Sequence, residues 1–528
     1  MTSSYDAVVI GAGPNGLTAA NLLADSGWSV RLLEANPEPG GAVRTGELTL
    51  PGFRHDLFSA FYPLAVAAPV LQRLRLDQYG LRWCRSEVAL ANPTLDGRCA
   101  RICSDIDDTA ASLDEYHPGD GAAWRDLFDQ WERWREPLLD ALFTPIPPIG
   151  AGARLLRAIG LRRLGEAARF ALLPVRRMAE ENFGGEGGGL LLAGNALHSD
   201  IGPDNNGSGI FGWLLSCLAQ DVGYPVPEGG AGALTRALVA RLESSGGELT
   251  CGQRVTSVVV EDGRAAGVIT EHDERIEATR AVLADVDAPT LYGRLVGEEH
   301  LPERFRRRLN AFQWDASTVK FDWALSGPVP WSADGAAAAG TVHLAESLDH
   351  LTTWMAQLAC RQIPSAPFVL FGQQSVLDPS RAPSGSATAW AYTHVPREVR
   401  GDAGDAAISG DWTERDVERF AERVERQIER FAPGFRSLIL ARHVMSPAAM
   451  EAANSNLVGG AINGGTAQIH QQLIFRPVPG FGRANTPVRG LFLASASAHP
   501  GGGVHGGAGA LAARAAQRTP RLPKVLRR

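Results

Sequence analysis

The chain has 528 residues, a formal net charge of -7, 21% charged and 45% hydrophobic residues. That length exceeds one ordinary hydrophobic core, so two or three domains are expected, and the mildly acidic balance gives no electrostatic reason to expect nucleic acid. No stretch has 18 uninterrupted apolar residues, the start lacks a basic region followed by an apolar one, and the six cysteines are scattered, so a reduced, cytoplasmic protein without a metal centre is expected.

Residues 6–10 form an apolar, β-branched run suited to a buried parallel strand, and Gly11, Gly13 and Gly16 follow it at G-x-G-x-x-G spacing. Each glycine then has a task. Gly11 permits the turn, Gly13 admits a pyrophosphate to the backbone, and Gly16 lets the next helix pack on the strand with Pro14 and Asn15 at its positive end. Residues 29–33 are the second strand, closed by Glu34. A carboxylate there can accept both ribose hydroxyls of an adenosine and would repel a 2′-phosphate, which selects FAD or NAD over NADP. The following loop carries Ala35, Gly40, Gly41 and Arg44; taken alone it reads either as a surface turn or as a backbone and guanidinium contact to a ligand.

Residues 61–224 read as mostly helical, with Trp124, Phe128 and Trp131 at the spacing of a core-facing stripe. Residues 151–178 interleave seven arginines with leucines, isoleucine and phenylalanine around the single acid Glu166. That pattern fits a solvated helix face, a contact with an anionic membrane surface, or a cap over an apolar tunnel. The glycine-rich residues 182–194 read as a flexible loop, and His198 reads as a structural histidine. A helix at 234–243, strands at 255–260 and 267–270 joined through Asp262-Gly263, and a strand at 282–285 describe an antiparallel excursion with a tight hairpin. No second glycine fingerprint occurs, so a dedicated NAD(P)H domain is not expected. Strands at 318–324, 367–374 and 387–394 and a charged helix at 414–431 are expected to supply one wall of a pocket. A last strand at 490–493 leads through the glycines of 501–509 into an alanine-rich helix, and the basic tail 518–528 is expected to be disordered.

Gly40, Gly41 and Arg44, placed just after the ribose acid, resemble the G-G-x-x-[RS] element of flavoproteins of the amine-oxidase and phytoene-desaturase superfamily. With the opening fingerprint, Pro51-Gly-Phe53, Gly229-Gly230, Arg476-Pro-Val-Pro-Gly480, Gly490-Leu-Phe-Leu493 and His499-Pro-Gly-Gly-Gly-Val504, the chain resembles the phytoene-desaturase-like oxidoreductases, nearest to the branch named for a pyridine nucleotide-disulphide oxidoreductase domain. The resemblance implies an α/β fold with a discontinuous Rossmann-like FAD-binding domain (1–60, 225–290 and 482–528) and an α+β substrate domain with mixed sheet and helical cap (61–224 and 291–481). It implies non-covalent FAD, with the Val255 backbone at the adenine and Ser495, Gly502, Gly503 and Val504 near the flavin, where amides at a helix start stabilise charge on the reduced ring. His499 is the candidate catalytic group on that loop.

The implied activity is hydride transfer on carbon–carbon bonds of a long apolar or polyene substrate in specialised metabolism. Reductive cyclisation or isomerisation of a polyene intermediate, with NAD(P)H as external reductant, is a second reading; amine oxidation is a third. A non-catalytic prenyl carrier of the GDP-dissociation-inhibitor architecture is the reading from another class. Two departures set the chain apart: Ser495 and Ser497 stand where the family has glycines, and Gly464 where it often has histidine. The resemblance leaves the oligomeric state open, and with it peripheral membrane contact through 151–178.

Overall fold

The structure, a computed structural model, describes residues 3–519; beyond Thr519 the basic tail lies outside the described residues. Strand β1 (Ser3–Ile10) runs parallel to β2 (Val30–Leu33) on one side and to strand Arg275–Ala284 on the other. Ala7, Val8 and Val9 are fully buried, as expected for a strand covered on both faces. Glu248–Thr250 extends the sheet beyond β2. Strand Arg275–Ala284 has two different neighbours on its other flank: the hairpin Val255–Glu261/Arg264–Thr270 pairs antiparallel with its first half, and Leu491–Leu493 pairs parallel with its end. The hairpin turns where the sequence places it, with φ of 49° at Asp262 and 72° at Gly263. Helix α1 (Pro14–Asp25) packs against helices Gly232–Ser244 and Gly507–Arg518, joining Leu17, Leu23, Leu234, Leu238 and Ala512 in one core.

A second, mixed sheet of seven strands runs in the order Ile439–Met445, Ser317–Leu325, Ala387–Val395, Val369–Gly372, Ala339–Leu344, Val88–Pro93, Cys99–Cys103. All nine residues of Ser317–Leu325 are buried. Val319, Phe321 and Trp323 pack with Phe420, Val424 and Ile428 of helix Glu414–Phe431, so by strand alternation Thr318, Lys320 and Asp322 face the other way. The architecture is the expected mixed α/β one, a Rossmann-like layer beside a mixed sheet with a helical cap. The hairpin Val88–Pro93/Cys99–Cys103 is a correction to the helical reading of 61–224. It adds to the free edge of Ala339–Leu344, an edge that lies about 250 residues away and is invisible locally.

The cap is built from helices Asp120–Leu142, Val175–Asn182, Gly187–Ala196 and Ser208–Val222. Trp124 and Trp131 are buried, and Trp131 meets Trp213 edge-on at 5.7 Å between ring centroids. The glycine-rich stretch is no flexible loop: Gly187–Ala196 is a helix buried along its whole length. A Cβ on Gly188 would lie 2.5 Å from the Phe183 ring, and one on Gly194 2.1 Å from His343 Nδ1. Helix propensity disfavours each glycine by about 1 kcal/mol, but here the missing side chains are what allow the neighbours to close. Among the described residues no helix is long and apolar enough to cross a membrane.

Candidate cofactor and substrate site

The fingerprint turn is held from three sides. Helix α1 begins at Gly13-Pro14 with no side-chain cap and no acid in its first turn, leaving its positive end for a ligand. A Cβ on Gly16 would sit 2.0 Å from the Gly11 carbonyl oxygen, and one on Gly13 2.7 Å from Asp285 Oδ2. Glu34 is buried; its Oε2 accepts from the Ala12 N–H at 2.8 Å and its Oε1 from the Asn36 N–H at 2.9 Å. Asp285, which the sequence reading passed over, follows the strand beside β1, and its Oδ2 accepts the Gly16 N–H at 2.8 Å. Burial pushes its pKa up to about 7, against the Gly16 hydrogen bond and with the help of Glu34. Its signal was available: an acid directly after an apolar run of parallel-strand type.

Of the remaining sequence candidates, Gly40 donates its N–H to the Ala12 carbonyl at 2.8 Å, bringing the second glycine loop onto the first. Arg44 braces that loop rather than lining the cavity: Nε donates to Gly41 O at 3.1 Å and a terminal NH2 to Ala453 O at 2.8 Å. Ala35 is half-buried beside Glu34, and Val255 is buried among Val8, Ile10 and Leu33.

Gly13, Pro14, Asn15, Gly41, Ser495, Gly502, Gly503 and Val504 line one cavity, which holds about 1660 Å³ of space, its mouth included. It lies between the N-termini of α1 and of helix Gly507–Arg518, and three buried side-chain atoms of lining residues, Asn15 Oδ1, Asp287 Oδ2 and Asn463 Nδ2, have no hydrogen-bond partner. Open amides at positive helix ends and unpaired amide groups fit a dinucleotide, with the Glu34 carboxylate buried behind the turn rather than on the lining. From there the same cavity continues between Phe61, Leu64, Leu215, Leu370, Trp390 and Tyr392, so the second sheet does form one wall. Trp390 Nε1 donates to Phe58 O at 3.1 Å and the Tyr392 hydroxyl to His198 O at 3.4 Å. With their polar atoms tied back to the chain, the rings present apolar surface. His198 also lines the cavity, its Nε2 3.0 Å from His343 Nε2; burial pushes its pKa down to about 3, so it is neutral.

The two departures from the family pattern turn out to be one feature. Ser497 Oγ donates to the Gly464 carbonyl at 2.8 Å and accepts the Ala288 N–H at 3.1 Å. Gly464 has φ of 64°, and a Cβ there would lie 3.0 Å from Ala496 Cβ. The Ala496–Ser497 backbone leaves no room for a side chain at 464, while the serine hydroxyl ties the two loops together through the 464 carbonyl. His499 is not among the lining residues; it is buried with neither ring nitrogen hydrogen-bonded. Burial, opposed by the Leu142 backbone and reinforced by Arg476, pushes its pKa down to about 4.

Residues 9–74 match the family model of the NAD(P)-binding Rossmann-like domain. The chain is 28% identical to pyridine nucleotide-disulfide oxidoreductase domain-containing protein 2 of Rattus norvegicus, over 96% of this chain and 92% of the relative. It is 26% identical to one component of the limonene dehydrogenase of Castellaniella defragrans, over 96% and 94%. It is 25% identical to a lycopene-forming phytoene desaturase of Pseudescherichia vulneris, over 94% and 96%. The chain is thus similar to phytoene desaturases over almost its whole length. An oxidoreductase from Methanosarcina mazei shares the fold, with a TM-score of 0.61 at 16% identity, covering 97% of this chain and 100% of that one. With this kinship the oxidoreductase class stands, and FAD is the cofactor that the kinship and the cavity's polar end both support.

Proposed function

We propose that the chain is an FAD-dependent oxidoreductase that acts on a carbon–carbon bond of a long apolar substrate. The observation that carries this is the single cavity with a glycine-turn end and an apolar aromatic end. Bound FAD supplies a two-electron hydride acceptor or donor. The chain's own residues do the rest: Glu34 receives ribose hydroxyls, the α1 end and Gly41 face phosphate, and Trp390, Tyr392 and Phe61 hold the substrate and exclude water. Purified protein is expected to show flavin absorption near roughly 450 nm that is released on denaturation. Bleaching by NAD(P)H under anaerobic conditions would favour the reductive cyclase or isomerase; bleaching by an apolar substrate alone would favour the desaturase direction. A chain that stays colourless after reconstitution with FAD would overturn the enzyme reading and return the carrier.

We infer that the exposed face at 149–172 docks on an anionic membrane surface, from which an apolar substrate would be drawn. Ile149, Leu156, Leu161 and Leu172 are exposed, Leu161 at 82%, on the helices spanning 149–172. Arg154, Arg169, Arg176 and Arg177 pair with acids, whereas Arg157, Arg162 and Arg163 are exposed without an ion-pair partner among the described residues. Ile469 continues the face, since a Cβ on Gly207 would stand 3.5 Å from Ile469 and 3.6 Å from the Ala171 carbonyl. Apolar tips among free guanidinium groups match an anionic bilayer surface. Protein should co-sediment with phosphatidylglycerol vesicles. Leu161→Asp with Leu172→Asp, or glutamine at the three free arginines, should abolish this, at about 1 kcal/mol per arginine. Unchanged binding by these variants, or a concentration-dependent dimer that they dissolve, would overturn the membrane assignment.

A further inference from the structure

The chain has 51 basic residues besides histidine, yet lysine occurs only at 320 and 524. Arginine serves everywhere else, including buried positions such as Arg381 and Arg476. The two side chains differ in one respect that matters inside a protein: a guanidinium does not give up its proton, whereas a buried ammonium does. Lys320 sits where that difference has a use. It is 1% exposed and its side chain lines the cavity beside Thr318, Trp390 and Tyr392.

Nζ of Lys320 is hydrogen-bonded to Asp322 Oδ2, two residues along the strand on the same face. Two histidines flank that carboxylate. His55 Nδ1 is 3.7 Å from Oδ1, but its side chain is buried and its other nitrogen is engaged with Thr49 Oγ1; burial holds its pKa down at about 4. It is a closed end. His443 Nδ1 is 3.8 Å from Oδ2, has no hydrogen-bond partner, and belongs to a side chain 36% exposed to solvent. The gap exceeds hydrogen-bond length by about 1 Å, which a small rotation closes.

We propose that Lys320, Asp322 and His443 form the cavity's proton exit. Lys320 gives a proton by way of Asp322 to His443, which passes it to solvent through its exposed ring, and the amine so formed takes the proton released beside it, which restores the ammonium held by Asp322. No electrons move along this path. The charged and titratable groups around Lys320 are Asp322 on its own strand, His443 and Tyr392 on the two neighbouring strands, and Asp56, His55 and Arg381 from the loops below. Burial lowers the Lys320 ammonium from its ordinary value, against the pull of Asp322 and Asp56. The inference rests on the oxidoreductase reading only for the origin of the proton.

Having two lysines makes the test direct. Protein grown on lysine labelled with carbon-13 at the ε carbon gives two resonances, assigned with Lys524→Arg. In cofactor-free protein, Lys320 is expected to titrate below Lys524, and Asp322→Asn to move it lower still. In the flavin-loaded enzyme, Lys320→Met should slow proton release to an indicator dye by about 10²-fold. His443→Gln should slow the same release while leaving the Lys320 titration in place, with imidazole buffer restoring it. A Lys320 that keeps its charge past Lys524, or proton release indifferent to His443→Gln, would overturn the exit. A chain that takes no flavin would overturn the enzyme reading and leave the lysine titration to decide on its own.

Discussion

Gly16→Ala protein is expected to lose its flavin. The added carbon would lie 2.0 Å from the Gly11 carbonyl oxygen and 3.2 Å from Asp285 Cβ, so α1 must move off the turn that aims its first amides into the cavity. The Gly16 N–H would also leave Asp285 Oδ2, its partner at 2.8 Å. Overpacking of this kind costs about 1–3 kcal/mol, which on the affinity scale weakens FAD binding by about tenfold to 10²-fold. Gly27→Ala is the matched control. Its φ is 73° but nothing lies within 4 Å of the new carbon, so it should lose about 1–2 kcal/mol of stability through strain alone and keep its flavin. Flavin per protein, read by absorbance after gel filtration, separates the two. Equal loading of both variants would mean that close approach of helix and turn is not what builds the site.

Arg476→Met is expected to be the most destabilising exchange behind the cavity wall. The guanidinium is buried and donates to four carbonyls: Ala496 at 3.0 Å, Thr466 at 2.9 Å, Asn463 at 2.6 Å and Gly465 at 3.3 Å. Those carbonyls belong to the two loops, around 463–466 and 495–497, that pack against each other on the cavity lining. Burial pulls the pKa of Arg476 down to about 10 even with Asp315 and Asp200 nearby, so the charge is held at some cost. Removing it orphans the carbonyls and leaves both carboxylates without their cation, a loss of about 3–5 kcal/mol. Lysine should recover little of this, because one ammonium cannot span four acceptors arranged for a planar fork. Urea unfolding midpoints of wild type, Arg476→Met and Arg476→Lys test it; a shift under about 1 kcal/mol for methionine would show that the loops hold each other without the arginine.

The dinucleotide cradle was legible because it is local. Gly11, Gly13, Gly16 and Glu34 are separated by a single strand–helix–strand unit whose geometry follows from backbone sterics, and each sits where the spacing places it. The tight hairpin through Asp262-Gly263 was legible for the same reason, since a left-handed turn leaves its mark on two adjacent residues. The Val88–Cys103 hairpin was not, because its partner strand is chosen by an edge far along the chain. The glycine-rich helix Gly187–Ala196 was misread because composition records the loss of helix propensity but not the rings of Phe183 and Tyr116 that fill the space where its side chains would be.

The sequence by itself determined the glycine turn and its acid, the absence of a second fingerprint, and the likeness of the chain to phytoene desaturases. It also held, unread, the mark of Lys320, one of two lysines among so many arginines. Only the tertiary structure decided what that lysine faces, that Ser497 and Gly464 are two halves of one contact, that Arg476 ties the cavity loops together, and that His499 lies off the cavity lining. The division has a physical cause: turn and helix-end geometry are set by neighbours in sequence, whereas burial, pairing and the lining of a cavity are set by side chains brought together from hundreds of residues apart.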